Sequence, residues 1–207
     1  PPRSTLFPYT TLFRSMALQG GKPGKETEIK LRCGPACEAR ALLLSCGFRE
    51  RTPRTFERNE VFDTPALILR QERKLLRLRE YGAEHILTYK GPPEAGPHKV
   101  REEIETRVAD AAAMRVTLER LGYEVVFRYE KYRAEFEGEG GLALIDETPI
   151  GNFVELEGDA EWIDRRAAEL GYSAADYITQ SYASLYLDWC GSQGLEPGHM
   201  EFSSPHD

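Results

Sequence analysis

From Lys25 onward the chain switches between stretches of period two and stretches of helical period. Residues 25–32 put Ile29 and Leu31 on one face and charged residues on the other, as a strand with two unlike faces does. Residues 35–46 carry Ala36, Ala39, Leu42, Leu43 and Cys46 at helical spacing, and Gly47 supplies the stop. Residues 56–63 read as strand, and 64–71, with Pro65, as a loop or bend. Residues 74–80 and 84–90 read as two strands of a hairpin turning at Tyr81-Gly82. A loop over 91–97, a strand over 100–108 and a helix over 110–121 ended by Gly122 follow. The pattern then predicts strands over 125–136, 142–147 and 152–157 and helices over 160–170 and 178–190.

This amounts to about eight strands and four helices, most strands joined by short turns and therefore antiparallel. The expected fold class is α+β: a closed eight-stranded antiparallel barrel, which removes sheet edges, with helices packed outside.

The polar faces of the strands are not the usual mixture. Glu26, Glu28, Lys30 and Arg32 share one face of the first strand, and Arg77 and Arg79 alternate with Leu76 and Leu78. Thr88 and Lys90 alternate with Leu87 and Tyr89; Lys99, Arg101, Glu103 and Glu105 alternate with Val100 and Ile104. Lys131 pairs with Arg133, and Glu155 with Glu157. In a single strand such charges usually face water. Repeated strand after strand, with helices needing the apolar faces, they point into the barrel. A lumen of that kind is costly unless its charges are paired or bound to a ligand. The acidic set suits a hard divalent cation with oxygen ligands, magnesium or manganese. The basic set suits phosphate, gripped by guanidinium forks and ammonium point charges. A ligand that needs both halves is a metal-bound polyphosphate.

Composition narrows the classes. The 207 residues carry 41% hydrophobic and 29% charged residues and a net charge of −7, which fits one compact domain and gives no basic footprint for a nucleic acid polymer. No apolar run reaches the ~18 residues of a membrane helix. Cys33, Cys37, Cys46 and Cys190 form no zinc or disulfide pattern, so cytoplasmic thiols are expected. Residues 1–15 read as a non-native leader before Met16, resembling a translated sequencing adapter; 16–190 is the expected domain, and 191–207, rich in Gly, Ser and Pro, a flexible tail. A homodimer remains open.

In chain order the motifs resemble the CYTH family, the triphosphate tunnel metalloenzymes. Glu26-Thr-Glu28-Ile-Lys30 is similar to the family's E-x-E-x-K, and Val61-Phe62-Asp63-Thr64 to its second-strand Y/F-D-T. Leu76-Arg77-Leu78-Arg79, Thr88-Tyr89-Lys90-Gly91-Pro92 and Arg101-Glu102-Glu103-Ile104-Glu105 are similar to its paired-arginine strand, T-x-K-G-P and R-x-E-x-E. Glu130-Lys131-Tyr132-Arg133 resembles E-K-x-R; Asp146-Glu147 through Gly151, Phe153, Glu155 and Glu157 resembles D-E-x-x-x-G-x-F-x-E-x-E; Ser181-Tyr182 matches the start of the last helix. The resemblance implies a triphosphate bound end-on in the tunnel. It implies metal at Glu26, Glu28, Glu155 and Glu157, helped by Glu103 and Glu105. It implies phosphate contacts from Lys30, Arg77, Arg79, Lys90, Arg101, Lys131 and Arg133, with Lys30 and Glu28 catalytic. Phosphoryl transfer asks a protein mainly for positioning and charge neutralisation.

Three activities fit these motifs. A triphosphatase is preferred, because no segment must hold adenine. The alternatives are a class IV adenylate cyclase and a non-catalytic polyphosphate-binding module; the intact acidic pairs speak against the last. Trp162 and Trp189 fall in helical segments rather than on tunnel strands, which disfavours stacking of a thiamine ring on Trp.

Overall fold

A computed structural model describes residues 24–203. The expected leader at 1–15 and the domain start at Met16 lie outside these described residues.

Alternation builds eight strands: β1 (Gly24–Cys33), β2 (Arg49–Asp63), β3 (Leu75–Tyr81), β4 (Glu84–Lys90), β5 (Lys99–Arg107), β6 (Glu124–Gly138), β7 (Gly141–Thr148) and β8 (Gly151–Gly158). Helices are α1 (Ala36–Ser45), α2 (Ile68–Gln71), α3 (Ala111–Arg120), α4 (Ala160–Glu169) and α5 (Tyr182–Gln193). The strands close into one antiparallel barrel in the order β1-β5-β4-β3-β2-β6-β7-β8. The barrel is the expected one, and β1 completes it by pairing through Gly24–Glu28 with β5 and through Glu28–Cys33 with β8.

The apolar faces look outward and are covered. Ile29 and Leu31 of β1, Ala143 and Ile145 of β7 and Val154 and Leu156 of β8 pack with Leu43 of α1 and Trp162, Ile163 and Ala167 of α4. On the opposite side Phe62, Leu78 and Leu118 form a smaller cluster beneath α3. Burial of these side chains drives the helices onto the barrel, at roughly 25 cal/mol per Å² of apolar surface. It also leaves the charged faces turned inward.

Several boundaries move for physical reasons. β2 begins at Arg49 rather than 56: its first half lacks apolar alternation and contains Pro53, but it pairs with β6 across register shifts at Glu50/Thr52 and Thr52/Thr55. The expected loop at 64–71 holds the short helix α2. Its start is organised by the buried Asp63 carboxylate, which accepts from the backbone N–H groups of Thr64 at 2.7 Å and of Leu69 and Arg70 at 2.9 Å. The last helix begins at Tyr182 rather than 178, because Ile178 instead makes a two-way backbone bridge with Lys30 at 2.9 Å and Ser181 caps the helix. The segment after Cys190, expected to be loose from its composition, packs on the barrel: Met200 is 1% exposed, inserted among Tyr129, Tyr182 and Leu185. No described helix is long and apolar enough to cross a membrane.

The β6–β7 turn is closed over Trp162, whose indole N–H donates to the Glu139 carbonyl. A Cβ at Gly141 would lie 2.5 Å from the Glu157 carbonyl oxygen and 2.8 Å from the Trp162 ring. Backbone and a packed ring cannot both yield, so Gly141→Ala is expected to cost about 1–3 kcal/mol. Urea unfolding measures this, and an unchanged midpoint contradicts the packing.

Candidate functional site

The barrel encloses a cavity of about 1150 Å³. Every candidate metal or phosphate ligand lines it: Glu26, Glu28 and Lys30 from β1, Arg77 and Arg79 from β3, Lys90 from β4, Arg101, Glu103 and Glu105 from β5, Lys131 and Arg133 from β6, Glu155 and Glu157 from β8. Arg32 shares the parity of Lys30 but not the cavity. It lies one pair beyond, its guanidinium 4.8 Å from the Phe153 ring centroid and donating to the Ile150 carbonyl at 3.3 Å.

The acidic residues divide in two. Carboxylate oxygens of Glu26, Glu28 and Glu157 lie within 4.8 Å of one another. β1 and β8 bring Glu28 and Glu157 opposite each other in register, and Glu26 sits two residues along the same face. Glu155, Glu103 and Glu105 lie outside this trio and face cations: Glu155 pairs with Lys30 at 3.2 Å and with Arg133, Glu103 with Lys90 at 3.1 Å, Glu105 with Arg79 at 3.3 Å; within the trio Glu28 meets Lys30 at 3.2 Å and Glu26 meets Lys90. Of the six carboxylates grouped in the sequence, three converge on one another and the other three pair with cations.

Some residues that organise the tunnel were not among the candidates. Asp146, fully buried, takes a fork from Arg133 at 2.7 and 2.6 Å, Lys131 at 2.8 Å and the Tyr182 hydroxyl at 2.6 Å. Glu57, also fully buried, lies 3.5 Å from the Lys131 ammonium and 4.0 Å from Arg79 and Arg133. Lys99 donates to Glu28 at 2.5 Å, and Tyr129 accepts from Arg77 at 3.0 Å. Asp146 stood in a readable motif and Lys99 on a charged strand face, neither with an assigned partner. Glu57 was hidden because β2 breaks its alternation near the charge.

Electrostatics follow the division. Burial penalises the charge on Glu28, but Lys30, Lys99 and Lys90 overcome it and hold the carboxyl well below its ordinary range. Glu155 behaves alike, held low against burial by Lys30 and Arg133. Lys30 keeps its charge, burial being outweighed by Glu155 and Glu28. Lys99 is drawn down to about 8, mainly by burial, which Glu28 only partly offsets. Glu103 rises to about 7 through burial, with Glu26 and Glu105 beside it. Glu157 is pushed well above the carboxylate range by burial and by the neighbouring Glu26. Buried Nε–H groups of Arg77, Arg79 and Arg101 find no protein acceptor. Glu157 thus has no salt-bridge partner among the described residues, while arginine donors elsewhere are spare, a pattern that fits a hard cation held by oxygens and an anion with many acceptors.

A closed antiparallel barrel with a charged, ligand-sized lumen of this kind defines a tunnel protein for a multivalent anion and a metal. The chain belongs to the CYTH domain family, whose match covers residues 24–182, and so to the triphosphate tunnel enzymes, which are metal-dependent. A protein of Methanocaldococcus jannaschii named "Putative adenylate cyclase MJ0240" is 31% identical over 133 residues, 64% of this chain and 75% of that one. Among solved structures, a protein of Vibrio parahaemolyticus described as a "putative adenylate cyclase" superposes with a TM-score of 0.70 at 24% identity, covering 77% of this chain and 96% of that one. A Hippeastrum protein described as "Putative adenylyl cyclase HpAC1", revealing a dominant triphosphatase activity, superposes with a TM-score of 0.56 at 19% identity, covering 84% of this chain and 97% of that one. At these identities the two structures share the fold.

Glu57 makes an acid-side prediction. Burial raises its pKa, but Lys131, Arg133, Arg79 and Arg77 reverse the shift and hold the carboxyl far below its ordinary value. A carboxyl whose folded pKa is depressed stabilises above the unfolded value of about 4.3 and loses that contribution as pH falls. Wild-type urea midpoints should therefore drop below about pH 5. Glu57→Gln should be less stable at pH 7 and show a shallower acid slope; an equally steep slope contradicts the assignment.

Proposed function

We propose that the chain is a magnesium-dependent triphosphatase, hydrolysing a linear triphosphate, inorganic or esterified, inside the barrel. The observation that carries this reading is the convergence of the Glu26, Glu28 and Glu157 carboxylates within 4.8 Å of one another, in the same cavity as a set of buried guanidinium and ammonium groups. A binding module needs only the cations; the carboxylate trio is what a metal-assisted reaction adds.

Glu26, Glu28 and Glu157 are the residues that would hold magnesium, or manganese in its place. Bound there, the ion would neutralise phosphate oxygens and acidify a water. Glu28 is already ionised and oriented by Lys30 and Lys99. Arg77, Arg79, Lys90, Arg101, Lys131 and Arg133 line the path on which phosphate oxygens would lie, and Glu103, Glu105, Glu155, Glu57 and Asp146 hold all of them but Arg101 in place. Lys30, cationic between Glu28 and Glu155, is suited to hold the attacking water or the terminal phosphoryl oxygen in line. In the reaction the water oxygen bonds to the terminal phosphorus and the bond from that phosphorus to the bridging oxygen breaks. The electron pair leaves on the diphosphate, and a water proton is released.

The name carried by the Methanocaldococcus relative favours a second reading, an adenylate cyclase in which the ribose hydroxyl of ATP attacks and pyrophosphate leaves. The phosphate grip serves either reaction, so product analysis separates them. Purified protein with magnesium is expected to release orthophosphate from tripolyphosphate, ATP or thiamine triphosphate. Glu28→Gln should lower that rate by at least about 100-fold, the order seen when one electrostatic contact in an active site is removed. Cyclic AMP with equimolar pyrophosphate from ATP would establish the cyclase instead, and binding without turnover the non-catalytic module.

The metal site gives a separate test. Glu157 must lose its proton to ligate a cation, so magnesium binding releases protons and strengthens with pH. The magnesium-induced rise in Tm should be larger at pH 8 than at pH 5.5, and a rise independent of pH contradicts Glu157 as a ligand.

A further inference from the structure

The family match ends at residue 182, yet the chain beyond it builds one wall of the tunnel. Ala183, Ser184 and Leu187 of α5 and Pro197 and Gly198 of the following segment line the cavity. They meet the end of the barrel where Val61 of β2 stands opposite Phe127 of β6. β7 pairs with β6 only from Tyr132 onward, so the first half of β6 has an edge that β7 does not cover. The segment occupies that edge: Met200 donates to the Arg128 carbonyl at 3.0 Å and accepts from the Glu130 N–H at 2.9 Å, and Phe202 N–H donates to the Glu130 carboxylate at 3.1 Å. Tyr186 of α5 donates to the His199 carbonyl at 3.0 Å, tying the helix and the segment together. With Met200 buried, the segment is a fixed wall and not a loose end.

Its chemistry differs from that of the tunnel interior. Val61, Phe127, Leu187 and Pro197 offer carbon where the middle of the cavity offers charge. The Phe127 ring is only half-buried, held by Tyr129 at 5.8 Å and Tyr186 at 5.9 Å between centroids. The cavity, about 1150 Å³, exceeds the roughly 300–1,000 Å³ that a drug-sized ligand fills, and leaves room beyond a triphosphate chain. We propose that this wall seats the ring-bearing organic group of a triphosphate ester, so that the substrate is an organic triphosphate in preference to bare tripolyphosphate. The inference rests on the triphosphate-binding reading of the same tunnel. The triphosphate enters the charged middle, and its organic end stays against Phe127, Leu187 and Pro197.

The test compares ATP with tripolyphosphate, by calorimetric Kd and by kcat/KM, in magnesium. Wild type is set beside a chain ending at Gln193 and a Leu187→Ser variant. Leu187 is 38% exposed, so its replacement leaves folding intact even where truncation does not. Each variant should lose about 10-fold or more in ATP affinity and kcat/KM, the order of a lost apolar contact in a pocket, with tripolyphosphate changed less than about twofold. An ATP-to-tripolyphosphate ratio unmoved in Leu187→Ser, or parallel losses for both ligands, overturns the proposal. Wild type that binds both without turnover refutes the triphosphatase reading, and the ratio of Kd values still decides the wall.

Discussion

Everything in this barrel depends on compensating charge that the fold has taken out of water. The helices need the apolar strand faces, so the charged faces have nowhere to go but inward, and an isolated buried ion costs several kcal/mol. The chain meets this by answering most of these charges across strands. Asp146 on β7 receives Lys131 and Arg133 from β6 and Tyr182 from α5; Glu57 on β2 sits beneath the same cations. These contacts hold long, flexible side chains in fixed positions before any ligand arrives. Such preorganisation is what stabilisation of a highly charged transition state requires.

Compensation is incomplete in a particular place. Glu26, Glu28 and Glu157 crowd together, and Glu157 responds by holding a proton far above the usual range. Arginine donors elsewhere in the lumen are left without acceptors. A barrel selected only for stability would close such gaps with apolar side chains, since buried ion networks are poor stabilisers. The gaps match a cation and an oxyanion, and a metal-bound triphosphate brings both together.

The two ends of the fold hold this interior differently. On one side α1 and α4 form the large core against β1, β7 and β8, with Trp162 filling the space left by the turn glycines. On the other, α5 and the segment through Met200 close over the edge of β6 and present carbon to the tunnel mouth. The charged middle is common to a family of chemistries. The apolar wall is where this chain has room to choose among substrates.

Much of this was legible before any coordinates. Period-two alternation with apolar Ile29, Leu31, Leu76, Leu78, Val154 and Leu156 decided which faces the helices cover, and hence which face of each strand turns inward. That is a local property, because successive strand side chains point to opposite sides whatever the rest of the chain does. Pairing is not local. Which carboxylates meet each other and which meet cations depends on strand order and register: Glu28 lies opposite Glu157, whereas Glu155 lies opposite Lys30. No spacing in the sequence distinguishes Glu155 from Glu157. Glu57 was hidden in the run Glu57-Arg58-Asn59-Glu60, polar on both faces of β2, and the role of Met200 by a composition that usually means a loose tail. The sequence determined a charged barrel interior and the residues that line it. Only the tertiary structure decided how they divide into cluster and partners, because cross-strand distances of a few ångströms, set by closure of the barrel, determine whether two carboxylates share a cation or each keep their own.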